Sequence, residues 1–219
     1  MLTHAFASIP VPERQAKPRT RGLNMMIDWG MGLQRQADTL ESAGCYIDNA
    51  KIAATIPRVM PREVLERKLA LYKQHGISPM IGGLFTELAY MQGNASKLFD
   101  EALAVGFGSL EVSDNLISYP KGEKARMIRD CHASGLKAYA EVGRKEGSLD
   151  DDAFMADIED CLEAGAVGVY LEAYELFAQG QTRTELIERI TRTFPAERII
   201  YELPVVILPG DRKSTRLNS

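Results

Sequence analysis

Gly135-Leu-Lys-Ala-Tyr-Ala-Glu-Val142 and Gly165-Ala-Val-Gly-Val-Tyr-Leu-Glu172 bracket a segment whose apolar residues, Phe154, Ile158, Cys161 and Leu162, recur at helical spacing. Each glycine stands just past a helix-like stretch and just before a short apolar run that ends in an acid. A glycine there predicts a left-handed helix end, and the run after it predicts a buried strand. The unit is helix, glycine, strand, charge.

That unit repeats. Gly44, Gly76, Gly106, Gly135 and Gly165 recur about every 30 residues, the length of one βα repeat. Leu98, Phe99, Ala102 and Leu103 form a second helical stripe, and Leu186, Ile187 and Ile190 begin a third. Pro61 precedes a fourth, Val64, Leu65, Leu69 and Tyr72, where a first-turn proline is tolerated. Strands are predicted at 23–28, 46–51, 77–81, 109–112, 138–142, 167–172 and 199–202. Seven strands alternating with helices predict a parallel α/β sheet. An open doubly wound sheet is the alternative, but no Gly-rich phosphate turn follows the first strand. The expected fold is therefore a TIM-type (β/α)8 barrel that lacks its eighth βα unit in this chain.

Three segments are expected. Residues 1–22, with Pro10, Pro12, Pro18 and four cations from Arg14 to Arg21, read as a solvated extended arm. A localisation signal or a phosphate-contacting arm is the less favoured reading. Residues 23–210 form the barrel domain. Asp211-Arg-Lys-Ser-Thr-Arg-Leu-Asn-Ser219 is polar, aperiodic and matches the translation of a common sequencing adapter, so 211–219 is read as non-native. An open seventh strand leaves an unpaired edge and exposed apolar surface, which predicts association into a homo-oligomer.

A net charge of −4 argues against general nucleic-acid binding, which needs a basic footprint. No segment has the length and apolarity of a membrane span or a signal peptide. Cys45, Cys131 and Cys161 lie far apart beside apolar patterns. They predict buried reduced thiols and a cytoplasmic setting.

Function is expected at the strand ends. Asp28, Lys51, Glu141, Glu172 and Glu202 close the first, second, fifth, sixth and seventh strands. The fourth supplies Glu111, Ser113 and Asp114, and the third runs into Gly82-Gly83. In a parallel barrel these ends converge on one face, where active sites of this fold lie. A ring of carboxylates needs a cation or paired bases, and oxygen ligands with water suit Mg²⁺. Lys51 and Lys145 could neutralise an anionic substrate or transfer a proton. Gly82-Gly83 could let backbone approach an anion; a tight turn explains them equally well.

Lys17-Pro-Arg-Thr-Arg-Gly22, Met26-Ile-Asp-Trp-Gly30, Ala43-Gly-Cys-Tyr-Ile-Asp48 with Lys51, Gly82-Gly83, Leu110-Glu-Val-Ser-Asp114, Glu141-Val-Gly-Arg-Lys145 and Tyr201-Glu-Leu-Pro204 follow one another in an order that resembles the phosphosulfolactate synthase family. The resemblance implies a β/α barrel that adds sulfite to phosphoenolpyruvate with Mg²⁺. It implies Asp28, Glu111, Glu141 and Glu172 as metal ligands, and Lys51, Lys145 and Arg144 as catalytic cations. Gly82, Gly83, Ser113, Asp114 and Glu202 are the implied substrate-binding residues. The pattern departs where the family commonly has Lys at Trp29, a Gly-Trp-Gly-like segment at Ala53-Ala54-Thr55, Lys at Arg144, and Arg or Lys within Ala173-Tyr-Glu-Leu-Phe177. The family also includes plant heat-stress-associated proteins, so a non-catalytic proteostasis role is a rival expectation. An aldolase-type lyase using Lys51 or Lys145 on another small anionic substrate is a third.

Overall fold

The computed structural model describes residues 5–144, 149–178 and 181–203. Lys145, the end of the barrel domain beyond Leu203 and the 211–219 tail lie outside them.

Strands β1 (Met25–Asp28), β2 (Asn49–Ile52), β3 (Ser78–Ile81), β4 (Ser109–Val112), β5 (Lys137–Val142) and β6 (Val169–Leu171) pair in chain order, each parallel to the next. The short strands β7 (Phe177–Ala178) and β8 (Gln181–Thr182) form a separate antiparallel ribbon, and β9 (Ile199–Tyr201) completes the main sheet against β6. The seven parallel strands curl with helices between them, as in a TIM-type barrel without its eighth unit. A groove of about 450 Å³ lined by Met25, Ile27, Tyr170, Ile200 and Leu203 lies along the seam between β9 and β1.

The helices are α1 (Leu33–Ala43), α2 (Ile56–Val59), α3 (Arg62–Gln74), α4 (Gly83–Met91), α5 (Ala95–Val105), α6 (Glu123–Ala133), α7 (Asp151–Glu163), α8 (Ala173–Leu176) and α9 (Thr184–Thr193). Their apolar stripes meet the outer face of the sheet in one core that includes Leu69, Phe99, Ile128, Phe154 and Ile190. Asp150 caps α7, its carboxylate accepting from the amides of Asp152 and Ala153. The glycines after α3, α5, α6 and α7 take positive φ, as the repeat predicts. Gly44 does not. At φ −56° it continues right-handed into a 3-10 turn over Gly44–Tyr46, so the second strand starts at Asn49 rather than Tyr46.

Register sets which side chains face inward. Ile27 pairs with Lys51, Lys51 with Met80, Glu111 with Tyr139, Glu141 with Tyr170 and Tyr170 with Ile200. Successive residues alternate faces, so these share the inner face of the barrel. Met80, Tyr170 and Ile200 pack there as a small second core, and Asn49 donates to the Tyr170 hydroxyl at 3.0 Å.

The expected solvated arm is tied down. Arg19 pairs with Asp48 at 2.7 Å and donates to the Cys45 carbonyl. Arg14 donates to the Gly22 carbonyl, and Lys17 donates to those of Gly44 and His75. These partners precede β1, β2 and β3, so the cations close the end of the barrel opposite the strand C-termini. Carbonyls left over at helix ends and a buried carboxylate attract them, and that outweighs mutual repulsion.

Candidate functional site

Two-residue alternation carries Lys51, Glu111, Glu141 and, one step past their strands, Glu172 and Glu202 onto the inner face at the C-terminal end. Backbone pairing extends far enough to place the last two. The Glu172 amide donates to the Val142 carbonyl at 2.9 Å, and the Glu202 amide to the Leu171 carbonyl at 3.0 Å.

Lys51 is the hub. Its Nζ lies 2.9 Å from Glu111 Oε2 and 3.4 Å from both Glu141 Oε2 and Glu202 Oε1. Burial by itself would lower the Lys51 pKa, but the charges of Glu111, Glu141 and Glu202 more than offset it and hold the ammonium above the ordinary lysine range. Burial raises the Glu111 carboxyl, Lys51 opposes that, and Glu141 adds to the rise, so Glu111 is held above the ordinary carboxyl range.

Glu141, Glu172 and Glu202 each offer a carboxylate oxygen within 4.8 Å of the others. Oxygens on opposite sides of one Mg²⁺ stand about 4.2 Å apart, from bonds of about 2.1 Å. Hard oxygen donors at this spacing fit a divalent cation after small side-chain adjustments. Asn115 donates through Nδ2 to Glu141 Oε1 at 2.5 Å. Its Oδ1 on the same amide is buried and has no hydrogen-bond partner among the described residues. A donor such as a cation-bound water would satisfy that acceptor.

The four acids expected as ligands do not all meet. Glu202, expected to bind substrate, joins Glu141 and Glu172. Glu111 stands behind Lys51, its other oxygen accepting from the Gly83 amide at 2.9 Å. Asp28 is not in this constellation. It pairs with Ile52, one residue off the inward register, and points to the helix layer. There Lys68 Nζ lies 2.5 Å and the Tyr72 hydroxyl 2.6 Å from Oδ2, while the amides of Gly30 and Met31 donate to Oδ1. Both of its oxygens accept from protein donors, and these contacts anchor β1 to α3 and to the chain that follows β1.

The expected substrate residues also divide. A Cβ on Gly83 would collide with Ser113 Oγ, so Gly83 is required by close packing. Its amide is engaged by Glu111 rather than open to an anion, and the Gly82 amide donates to the Ile52 carbonyl. Ser113 donates to Glu87, and Asp114 pairs with Lys124 at 2.9 Å. Both are structural contacts. Arg144 is exposed at the mouth, its backbone amide donating to Glu175 at 3.0 Å, and its side chain borders a recess of about 430 Å³ with Leu84, Asn115 and Leu116.

Read from the sequence, Asn115, Gly143 and Glu175 had no role, and Glu87 showed only as the charge that follows Gly82-Gly83 after the third strand. Gly143, at φ +115°, lets β5 pass against Glu172 and Glu175, whose side-chain carbons would overlap any Cβ there. Glu175 on α8 accepts from the amides of Arg144 and Leu149. Among Asn115, Gly143 and Glu175, only Gly143 had a signal in the sequence, a glycine directly after a strand. Trp29 and Tyr174, both more than half exposed, stand just past β1 and β6.

The family model for (2R)-phospho-3-sulfolactate synthase (ComA) matches residues 12–206. The phosphosulfolactate synthase of Methanothermobacter thermautotrophicus is 30% identical over 205 residues, 88% of this chain and 79% of that protein. Protein HEAT-STRESS-ASSOCIATED 32 of Arabidopsis thaliana is 22% identical over 219 residues, 87% of this chain and 77% of that one. Among solved structures, a lyase/mutase from Burkholderia cenocepacia superimposes with a TM-score of 0.55 at 14% identity, over 87% of this chain and 70% of the other. That likeness concerns the barrel fold. No helix among the described residues is long and apolar enough to cross a membrane.

Proposed function

The chain belongs to the (2R)-phospho-3-sulfolactate synthase family, and we propose that it is a Mg²⁺-dependent lyase of that type, joining sulfite to phosphoenolpyruvate. The observation that carries this reading is the convergence of Glu141, Glu172 and Glu202 beside the Lys51 ammonium on one barrel rim.

In the reaction, a sulfite electron pair forms a C–S bond at the methylene carbon of phosphoenolpyruvate. The double-bond pair moves toward the carbon bearing phosphate and its carboxylate, and that carbon then takes a proton. The phosphate ester stays intact. Glu141, Glu172 and Glu202 would hold a divalent ion, which would supply charge stabilisation for the substrate carboxylate. Lys51 binds the anion and carries the proton on Nζ, and Glu111 Oε2 at 2.9 Å returns a proton to it. Arg144 at the mouth supports the second anion through charge-assisted hydrogen bonds.

The test is ³¹P NMR of the protein incubated with Mg²⁺, phosphoenolpyruvate and sulfite. A new phosphate-ester resonance that requires all three components is expected, and Glu141→Gln or Glu172→Gln should remove it. A folded, Mg²⁺-treated protein that yields no such resonance would sink the reading.

A second reading, a non-catalytic relative of the heat-stress type, is favoured by one observation. Trp29 and Tyr174 expose apolar surface at the mouth. Calorimetric titration separates the two: saturable, Mg²⁺-dependent binding of phosphoenolpyruvate supports the synthase, and its absence supports the rival.

A further inference from the structure

Glu87 sits on α4 with no exposed surface and no cation against it among its described hydrogen bonds. Its carboxylate gathers the chain that leaves β4. Oε1 accepts from the Ser113 hydroxyl and from the Asn115 amide at 3.0 Å; Oε2 accepts from the amides of Leu116 at 2.6 Å and Ile117 at 3.2 Å. Burying a carboxylate is costly unless hydrogen bonds compensate, and four donors do so here. The outcome is a loop whose backbone is fixed by one side chain. That loop presents the Asn115 side chain, whose Nδ2 donates to Glu141 while Oδ1 is buried without a hydrogen-bond partner among the described residues.

We infer that Asn115 belongs to the metal site as the residue that orients Glu141, and that Glu87 is the positioning residue that sets Asn115. This inference rests on the proposed reading of Glu141, Glu172 and Glu202 as a cation site. Asn115 donates to Glu141 Oε1 and so fixes the carboxyl rotamer, leaving Oε2, which faces Lys51 Nζ at 3.4 Å, as the oxygen that an ion would share with the lysine. Outer contacts of this kind govern affinity for the ion as well as ligand geometry. Glu87 acts only through the loop. The chain of effect runs from Glu87 to the 115–117 amides, to the Asn115 amide group, to Glu141.

The test compares the unsubstituted chain with Asn115→Ala, Glu87→Gln and the double variant. It measures Mn²⁺ affinity, the thermal midpoint, and NMR hydrogen exchange at the 115–117 amides and the Asn115 side chain. Asn115→Ala should weaken Mn²⁺ binding about 10- to 100-fold while the thermal midpoint and the backbone amides stay near their starting values. Glu87→Gln keeps one acceptor oxygen and turns the other into a donor, so it should release the backbone amides that faced the lost oxygen and lose Mn²⁺ affinity in part. The double variant should bind no more weakly than the worse single, because both act on one path.

Mn²⁺ affinity unchanged in Asn115→Ala, or losses that add in the double variant, would overturn the inference. Should Glu87→Gln not fold, Asn115→Ala and Ser113→Ala carry the comparison. Should the unsubstituted chain bind no Mn²⁺, the cation reading fails by itself. The positioning claim is then decided by the Asn115 side-chain amide. Slow exchange that Glu87→Gln abolishes supports it, and equal exchange in both proteins refutes it.

Discussion

Lys68 Nζ lies 2.5 Å from Asp28 Oδ2 with both side chains fully buried, which makes this pair an internal anchor of β1 on α3. The Tyr72 hydroxyl completes it, and burial followed by its bond to Asp28 raises the pKa of that phenol. Removing one partner strands a buried charge. Asp28→Asn is therefore expected to cost roughly 3–5 kcal/mol in urea denaturation while leaving Mn²⁺ affinity within two-fold. A large loss of metal affinity without destabilisation would return Asp28 to the ligand set.

Gly83 has space for hydrogen alone. In Gly83→Ala the new methyl must displace Ser113 or the Glu111 carboxylate that the Gly83 amide holds. Destabilisation of about 1–3 kcal/mol is expected from overpacking, with turnover falling further because Glu111 supports Lys51. Wild-type stability and rate in this variant would show that the packing relaxes freely.

The arm is expected to contribute to folding rather than to substrate binding. Arg19 and Asp48 are both nearly buried, and the guanidinium also serves the Cys45 carbonyl. Arg19→Ala should cost roughly 1.5–3 kcal/mol and leave KM for phosphoenolpyruvate unchanged. A raised KM at unchanged stability would argue that the arm reaches the substrate.

Burial pushes the thiols of Cys131 and Cys161 up to about 12. In the unfolded chain they ionise near pH 9, so above that pH the unfolded state sheds protons that the folded state keeps. Their stabilising effect is complete below about pH 9 and is lost as pH rises toward 12, at about 1.4 kcal/mol per pH unit for each thiol. Denaturation between pH 8 and 11 should show this fall, less steep in Cys131→Ala. With a thiol reagent at pH 8, the partly exposed Cys45 should react well before the other two.

The repeat of helix, glycine, strand and terminal charge was legible in the sequence because it is local. Helical stripes, strand-length apolar runs and positive-φ glycines each depend on residues close in the chain. They determined a parallel barrel and the rim on which Lys51, Glu111, Glu141, Glu172 and Glu202 stand. What only the tertiary structure decided was partnership. Asp28 and Glu141 look alike as strand-end acids, yet register turns Asp28 outward to Lys68 and Glu141 inward to Lys51, since a one-residue offset reverses the face. Glu87 stood out only as a charge after Gly82-Gly83, and Asn115 carried no sign at all in the sequence. Their roles come from hydrogen bonds across 26 to 30 residues of chain, and such pairings exist only once the strands have packed.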